Sequence, residues 1–391
     1  MRALPLALLA ALLLAAPAAA APVALGPGSD PSVVVDAAGT AHIAFATAAG
    51  QAYCRLPRGA RACDVRSDLS QPLAAGDFLE PPALFDRPDG TLLMVIASTE
   101  RQPVTSLSGR TYYRVSADRG ATWSAPVGVA WGNHGFGGIR LTPDGQVVLD
   151  VAREGSAVYL QLAPLSGGET RVASLNDHGA SVASADVAPL PDGRLLATYG
   201  DYANALRWRV FATGDVFDQV SWSPARTLRK VQDPQLVTGP RGTYLFERRS
   251  PTYQRTGDYP APFALRAFDT ARTRWRRARE AGADRSVFGP ADAAQDARGR
   301  VHVAAGTSSG HTSCIVYART TPKGWFGRTT VLTRTTREPT AVRVAAGPSG
   351  RGVVVWADRT DVWALPLRQA KGTYRAKRRQ ADRPACTGTR F

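Results

Sequence analysis

Apolar runs alternate with short polar turns along the whole chain. The clearest example is residues 91–98, an almost wholly apolar run that directly follows the turn Pro88-Asp89-Gly90. A continuous apolar run of this length, bounded by turn residues, is typical of a strand that is buried on both faces. A shorter apolar run, residues 82–85, precedes the turn, and a mixed run, residues 111–115, follows later. The pattern therefore predicts successive short strands joined by tight turns.

The turn recurs seven times and each copy ends in glycine. The seven glycines are spaced 48 to 57 residues apart: Gly39, Gly90, Gly145, Gly193, Gly242, Gly299 and Gly350. A period of this size with strand patterns on both sides indicates a repeat architecture, and for strands it indicates a β-propeller. We predict an all-β fold, a seven-bladed β-propeller of four-stranded antiparallel blades. We expect residues 22–25 to add a strand to the last blade and close the ring. A six-bladed ring is the alternative, if one repeat has another structure.

The second repeat contains a more specific motif. Residues 116–123 read Ser-Ala-Asp-Arg-Gly-Ala-Thr-Trp, and the defining positions are Ser116, Asp118, Gly120, Thr122 and Trp123. This segment resembles the Asp-box (BNR repeat) of sialidases and related propellers. The resemblance implies a sialidase-like propeller in which the box is a folding element, away from any active site. Its Asp would accept amide hydrogen bonds, its Gly would allow a positive φ, and its Trp would be buried between blades. Degraded copies place Trp222, Trp275 and Trp325 in later blades.

The two ends of the chain differ from the repeats. Residues 1–21 combine Arg2, an apolar stretch over 3–15 and small residues at 18–20, which is typical of a secretory signal peptide. We therefore expect a secreted, extracellular protein with no membrane span, whose residues 22–375 form a single propeller. Residues 376–391 form a basic C-terminal tail. The formal net charge of +16 favours anionic partners such as acidic glycans or cell-wall polymers, and nucleic acid is not expected outside the cell. We expect a monomer.

Four cysteines allow three disulfide pairings. Export to an oxidising compartment makes disulfides plausible, and Cys54 and Cys63 flank a turn across which they could face each other. That pairing leaves Cys314 with Cys386, which would attach the C-terminal tail to the sixth repeat. The spacings do not resemble a zinc site or a redox pair.

Candidate chemistry follows from the alternating strand direction. The Gly turns and the Asp-box lie on one face of the ring, so the entries to the innermost strands lie on the other face, around the mouth of the central channel. Carboxylates recur there, and the fifth repeat has a long loop rich in polar residues. The candidate ligand-binding residues are Asp30, Glu80, Asp186, Asp233, Asp292, Glu338, Arg343, Glu247, Arg248 and Tyr253. Converging carboxylates would favour a polyhydroxylated ligand or a cation such as calcium, although no cofactor is required. The alternative is that acid–proline pairs are turn signals.

Three functions fit these features. The first is a non-catalytic module that binds a glycan or wall ligand at the channel mouth, which needs no special residue geometry. The second is a glycoside hydrolase, of sialidase type or another type, that uses channel-mouth carboxylates. The resemblance implies a Tyr nucleophile, an acid/base carboxylate and three Arg, but the early Arg-bearing strand of that family is absent, so no catalytic residue is assigned. The third is a scaffold for protein assembly.

Overall fold

The computed structural model describes residues 21–70, 78–79, 81–100, 108–131, 138–154, 157–167, 171–174, 182–201, 205–211, 221–249, 263–280, 289–309, 312–321, 324–327 and 330–367. In this part of the chain the regular structure is β-strand, arranged in seven antiparallel sheets. Some of the predictions concern residues outside this part of the chain. These are residues 1–20 of the predicted signal peptide, the basic tail, Glu80, Tyr253 and Cys386.

The seven sheets are the blades of a β-propeller, and each runs from an innermost to an outermost strand. Blade one is β2 Ser29–Val35, β3 Ala41–Thr47, β4 Gly50–Leu56 and β5 Val65–Ser70. Blade two is β6 Phe78–Leu79 with β7 Ala83–Asp86, then β8 Leu92–Glu100, β9 Ser108–Ser116 and β10 Val127–Trp131. Blade three is β11 Arg140–Leu141, β12 Val147–Glu154, β13 Ala157–Pro164 and β14 Arg171–Ser174.

The remaining blades keep the same order. Blade four is β15 Val182–Pro189, β16 Leu195–Asp201, β17 Ala205–Val210 and β18 Arg226–Arg229. Blade five is β19 Val231–Gly239, β20 Gly242–Arg249, β21 Phe263–Asp269 and an outer strand in two pieces, β22 Arg274–Trp275 and β23 Arg279–Glu280. Blade six is β24 Ala291–Gln295, β25 Val301–Ser309, β26 Thr312–Arg319 and β27 Thr330–Thr335. Blade seven is β28 Ala341–Ala346, β29 Gly352–Ala357, β30 Asp361–Leu367 and β1 Val23–Pro27.

Blade seven closes the ring with strands from both parts of the chain. Strand β1 pairs antiparallel with β30, with Val23 opposite Ala364 and Pro27 opposite Asp361. The innermost strands β2 and β28 then lie side by side. The predicted seven-bladed ring and its N-terminal closing strand are confirmed, and the six-bladed alternative is wrong.

The hydrophobic core is divided among the blade interfaces. Among the described residues, seven buried clusters each combine side chains of two neighbouring blades, for example Leu92 and Met94 of blade two with Ala44 and Tyr53 of blade one. The second strands are the most apolar because they are covered on both faces; β29 is buried along its whole length.

The Asp-box joins the first two blades. Asp118 accepts hydrogen bonds from the Thr122 amide at 2.8 Å and the Thr122 hydroxyl at 2.6 Å, while Ser116 Oγ accepts the Gly120 amide at 2.6 Å. Gly120 has φ 90°, and a Cβ there would lie 1.8 Å from the hydroxyl of Tyr53, so the close approach of blade one requires glycine. The Trp123 ring lies edge-on to Tyr53 at 5.0 Å. The motif is therefore a folding element, as the resemblance implies.

The predicted hairpin disulfide is present. Cys54 and Cys63 are bonded, with their Cα atoms 5.5 Å apart, at the outer side of blade one. Cys314, on the third strand of blade six, is also disulfide-bonded. The pairing of Cys314 with Cys386 stays a prediction because Cys386 lies outside the described residues.

Candidate functional site

One equivalent position, seven residues before each turn glycine, recurs on or directly before the innermost strand of every blade. The residues at this position, in blade order, are Ser32, Ala83, Gly138, Asp186, Gln235, Asp292 and Arg343. We call them the channel layer. Because the repeats are in register, these residues from distant parts of the sequence come together on adjacent innermost strands.

Asp186 connects three blades. Its Oδ2 accepts a hydrogen bond from the Leu236 amide of blade five at 2.9 Å and forms an ion pair with Arg140 of blade three at 2.7 Å. Its Oδ1 accepts the amide of Val187 at 2.8 Å. Burial raises the pKa of Asp186, although Arg140 and the amide donors oppose that shift. Gly138 belongs to this arrangement, since a Cβ there would lie 2.6 Å from Asp186 Oδ1.

Asp292 makes the same kind of connection between blades six and seven. Its Oδ2 accepts the Val344 amide at 2.8 Å, and its Oδ1 accepts a hydrogen bond from Gln235 Nε2 at 2.5 Å. Ser32 repeats the pattern with a hydroxyl, which accepts the Leu84 amide of blade two at 3.1 Å. In each case the side chain of one blade satisfies a backbone N–H of the next innermost strand, a group that would be costly to leave unpaired. Through these contacts Asp186 and Asp292 hold neighbouring blades together.

Arg343 differs from the other charged members of the channel layer. It is half-buried on the innermost strand of blade seven, and its guanidinium donates to the carbonyl oxygen of Val342 at 3.0 Å. In the part of the chain that the structure describes, no carboxylate forms an ion pair with it. Since a guanidinium offers five donors, Arg343 is a cationic group at the channel that retains capacity for an anionic partner.

The acid–proline pairs do not all occupy equivalent positions. Asp30 and Asp233 both lie at irregularities in the pairing of the innermost strand with the second strand, between Ser29 and Ser32 and between Gln232 and Gln235. Asp30 has φ 47°, in the left-handed region. Glu338 lies in the exposed loop before β28. The carboxylate of Asp233 is not described, so its direction stays a prediction.

The fifth blade buries one of its candidate acids. Glu247, on β20, is 0% exposed, and both of its oxygens accept from Arg266 Nε at 2.9 Å. The neighbouring Arg248 lies on the same strand opposite Gln232, and its side chain is not described. Glu247 thus has a strong ion-pair partner on the adjacent strand, and a role in binding ligand would require that pair to rearrange.

A calcium site is not evident in the described residues. Within them, no three His, Cys, Asp or Glu side chains are grouped in a way that could hold a metal ion. Nor does the described part contain a helix long and apolar enough to cross a membrane.

Sequence reasoning missed a repeated triad. In blade one His42 lies 2.7 Å from the Tyr53 hydroxyl and 3.2 Å from Asp36; in blade six His302 has the same distances to Tyr317 and Asp296. The signal was available, because both copies read Asp-Ala-x-Gly-x-x-His across the Gly turn. Both histidines are 0% exposed, and burial lowers the pKa of His302 to about 4. The triads lie on the Gly-turn face and stabilise the blades.

Comparisons with known proteins agree on the fold. No protein-family model and no curated protein matches the chain. Among solved structures, a mutant of AofleA from Arthrobotrys oligospora aligns with TM-score 0.50 and 11% identity, covering 83% of this chain and 92% of that one. An α-L-arabinanase from Penicillium chrysogenum aligns with TM-score 0.46 and 16% identity, over 89% and 98% of the two chains. The NanB sialidase of Streptococcus pneumoniae aligns with TM-score 0.47 and 11% identity, over 78% and 71%. All three identities are below 25%, so the likeness is one of fold.

Proposed function

We propose that this protein is a secreted, non-catalytic propeller that binds an anionic carbohydrate, such as an acidic cell-wall glycan, at the mouth of its central channel. The observation that carries the proposal is Arg343, a half-buried guanidinium in the channel layer with no carboxylate partner among the described residues. A guanidinium binds a carboxylate by paired, charge-assisted hydrogen bonds, which suits a uronate or another acidic sugar. The formal charge of +16 adds long-range attraction for the same class of ligand.

The channel carboxylates favour binding over hydrolysis. Most glycosidases use two carboxyl groups that face the substrate about 5 to 10 Å apart, and sialidases use a Tyr nucleophile; both need a carboxyl group able to give up or take a proton. The oxygens of Asp186 and Asp292 instead accept hydrogen bonds from neighbouring blades. Using either one as an acid or a base would remove a contact that holds the ring together.

The test compares two arginine variants of the mature chain, residues 22–391. Arg343→Gln removes the channel charge, and Arg298→Gln makes the same change in the exposed Gly turn of blade six, on the opposite face. Calorimetric titration with short uronate and sialylated oligosaccharides should show binding to the wild type and the Arg298 variant. Arg343→Gln should bind at least about tenfold more weakly, the loss of one charge-assisted contact. Neutral oligosaccharides of equal length provide the second control.

Two outcomes would contradict the proposal. Equal affinity of the wild type and Arg343→Gln for every acidic oligosaccharide would exclude the channel as the anion site. Release of sugar from the oligosaccharides, abolished in Asp233→Asn or Glu338→Gln at unchanged melting temperature, would instead identify a hydrolase that uses the acid–proline pairs. Secretion is tested separately by the N-terminal sequence of protein recovered from the medium, which should begin near residue 22.

A further inference from the structure

The outer hairpin of blade six presents an unusual tryptophan. In blades two and five, the hairpin between the third and fourth strands ends in a Trp that packs on the preceding blade: Trp123 contacts Tyr53, and Trp275 contacts Trp208 with ring centroids 6.4 Å apart. In both blades the residue after that Trp donates its amide to the third strand. In blade six the residue that does so is Gly327, which donates to the carbonyl of Arg319 at 2.9 Å.

This register moves Trp325 out of the packing position. Phe326, directly before Gly327, pairs with Thr320 and packs against the cluster between blades five and six. Because neighbouring residues of an extended chain point to opposite sides, Trp325 faces solvent. It is 59% exposed, more than any other large hydrophobic side chain in the part of the chain that the structure describes. The expectation that Trp325 is a degraded Asp-box tryptophan is therefore wrong, since Phe326 takes that role.

An arginine of the neighbouring blade contacts Trp325 and belongs to an arginine-rich segment. The Arg279 guanidinium of blade five lies 4.7 Å from the centroid of its ring. Arg279 ends a segment, residues 272–279, in which every arginine is exposed: Arg272, Arg274, Arg276, Arg277 and Arg279. Asp269 pairs with Arg276 at 3.3 Å. An exposed aromatic ring beside a dense positive charge marks an interaction surface.

We propose that Trp325 and the arginines of residues 272–279 form a second binding site, for an acidic polysaccharide, on the outer rim of the propeller. The C–H face of a sugar ring would cover the exposed indole and remove it from water, while carboxylates along the polymer pair with the arginines. The site lies on outer strands and hairpins, whereas the channel layer lies on the innermost strands. It does not depend on the function proposed for the channel.

The single aromatic platform favours a glycan over single-stranded nucleic acid. Proteins that bind single strands stack successive bases on successive aromatic side chains along a basic groove. Along this basic segment Trp325 is the one exposed tryptophan among the described residues, because Trp275 is buried. One platform within a row of charges suits a polymer in which a single sugar ring stacks and its neighbours supply carboxylates.

The experiment uses the mature chain and polygalacturonate as the probe. Trp325→Ala removes the ring, and Val172→Ala, which shortens another exposed apolar side chain, is the matched control. Both variants should keep the wild-type melting temperature because neither side chain is buried. Affinity electrophoresis should show Trp325→Ala binding polygalacturonate about tenfold more weakly than the wild type, the loss of one stacking contact. The double variant Arg274→Gln, Arg277→Gln should also bind more weakly and show a shallower salt dependence.

The outcomes separate this site from the channel. If Trp325→Ala binds polygalacturonate as tightly as Val172→Ala, the rim site is wrong, whether or not Arg343→Gln is impaired. If Trp325→Ala is impaired while Arg343→Gln is not, the rim site stands and polygalacturonate does not bind at the channel. Single-stranded oligothymidylate is the competing probe. If the wild type binds oligothymidylate more tightly than polygalacturonate, and Trp325→Ala loses that binding, the assignment to a glycan is overturned.

Discussion

Removing the carboxylate of Asp186 should destabilise the whole ring. In Asp186→Ala the Leu236 amide loses its acceptor, and the Arg140 guanidinium loses its carboxylate partner but keeps its hydrogen bond to the Leu236 carbonyl. Breaking a buried pair by deleting one member costs about 3 to 5 kcal/mol. The side chain of Asp186 is 6% exposed but that of Arg140 is 25% exposed, so water can partly solvate the remaining charge. We therefore expect the lower end of that range, about 3 kcal/mol.

Urea unfolding followed by circular dichroism measures this loss as a lower midpoint at unchanged slope. Asp68→Ala, an exposed acid on the outermost strand of blade one, is the matched control and should change the free energy of unfolding by less than about 0.5 kcal/mol. A double-mutant cycle with Arg140→Met should give a coupling energy above about 1 kcal/mol. A stability loss below about 1 kcal/mol together with lost ligand binding would refute the reasoning, because it would make Asp186 a ligand-binding group.

Three further predictions concern elements outside the channel. Since burial lowers the pKa of His302 to about 4, against an ordinary value of 6.5, the unfolded state binds the proton first as pH falls. The contribution of neutral His302 to stability is therefore complete above pH 6.5 and declines toward pH 4, by about 2 kcal/mol at pH 5. In His302→Gln the urea midpoint should depend less on pH over this range. A pH dependence equal to that of the wild type would contradict the prediction. Trp123→Ala should lower stability by about 3 kcal/mol without changing oligosaccharide affinity, and a binding defect at full stability would contradict a packing role. Replacing Cys54 and Cys63 by Ala should cost about 2 to 3 kcal/mol, the entropy of a loop with sequence separation 9, and unfolding unaffected by the change would show that the bond adds nothing.

The fold could be predicted from the sequence because the residues that determine it act locally and recur in each repeat. Each turn glycine has a positive φ, from 71° at Gly350 to 100° at Gly242, and this backbone conformation favours glycine. Because each blade has one such turn, the number of turns predicts the number of blades. The Asp-box is equally local, since Ser116, Asp118 and Thr122 bond to one another within a single hairpin. The Cys54–Cys63 pair was predictable because a hairpin brings its two flanks together.

The candidate site was harder to predict from the sequence, because its contacts join residues of different blades rather than neighbours in sequence. Asp186 and Asp292 look like free acids in the sequence, yet each accepts an amide from an innermost strand about fifty residues further along. Glu247 is recognised as an ion-pair partner only when Arg266 is placed on the adjacent strand. The shift that exposes Trp325 and packs Phe326 against the core depends on one hydrogen-bond register, which composition does not encode.

The sequence by itself determined the number of repeats, the strands of each blade and the turns that connect them, because backbone preferences and apolar periodicity act over a few residues. The tertiary structure decided which charges remain available to a ligand. Closing seven sheets around one axis satisfies the channel carboxylates with amides of the next blade and leaves Arg343 without a described acidic partner. Whether a polar group is satisfied depends on neighbours supplied by another blade, and only the closed ring fixes those neighbours.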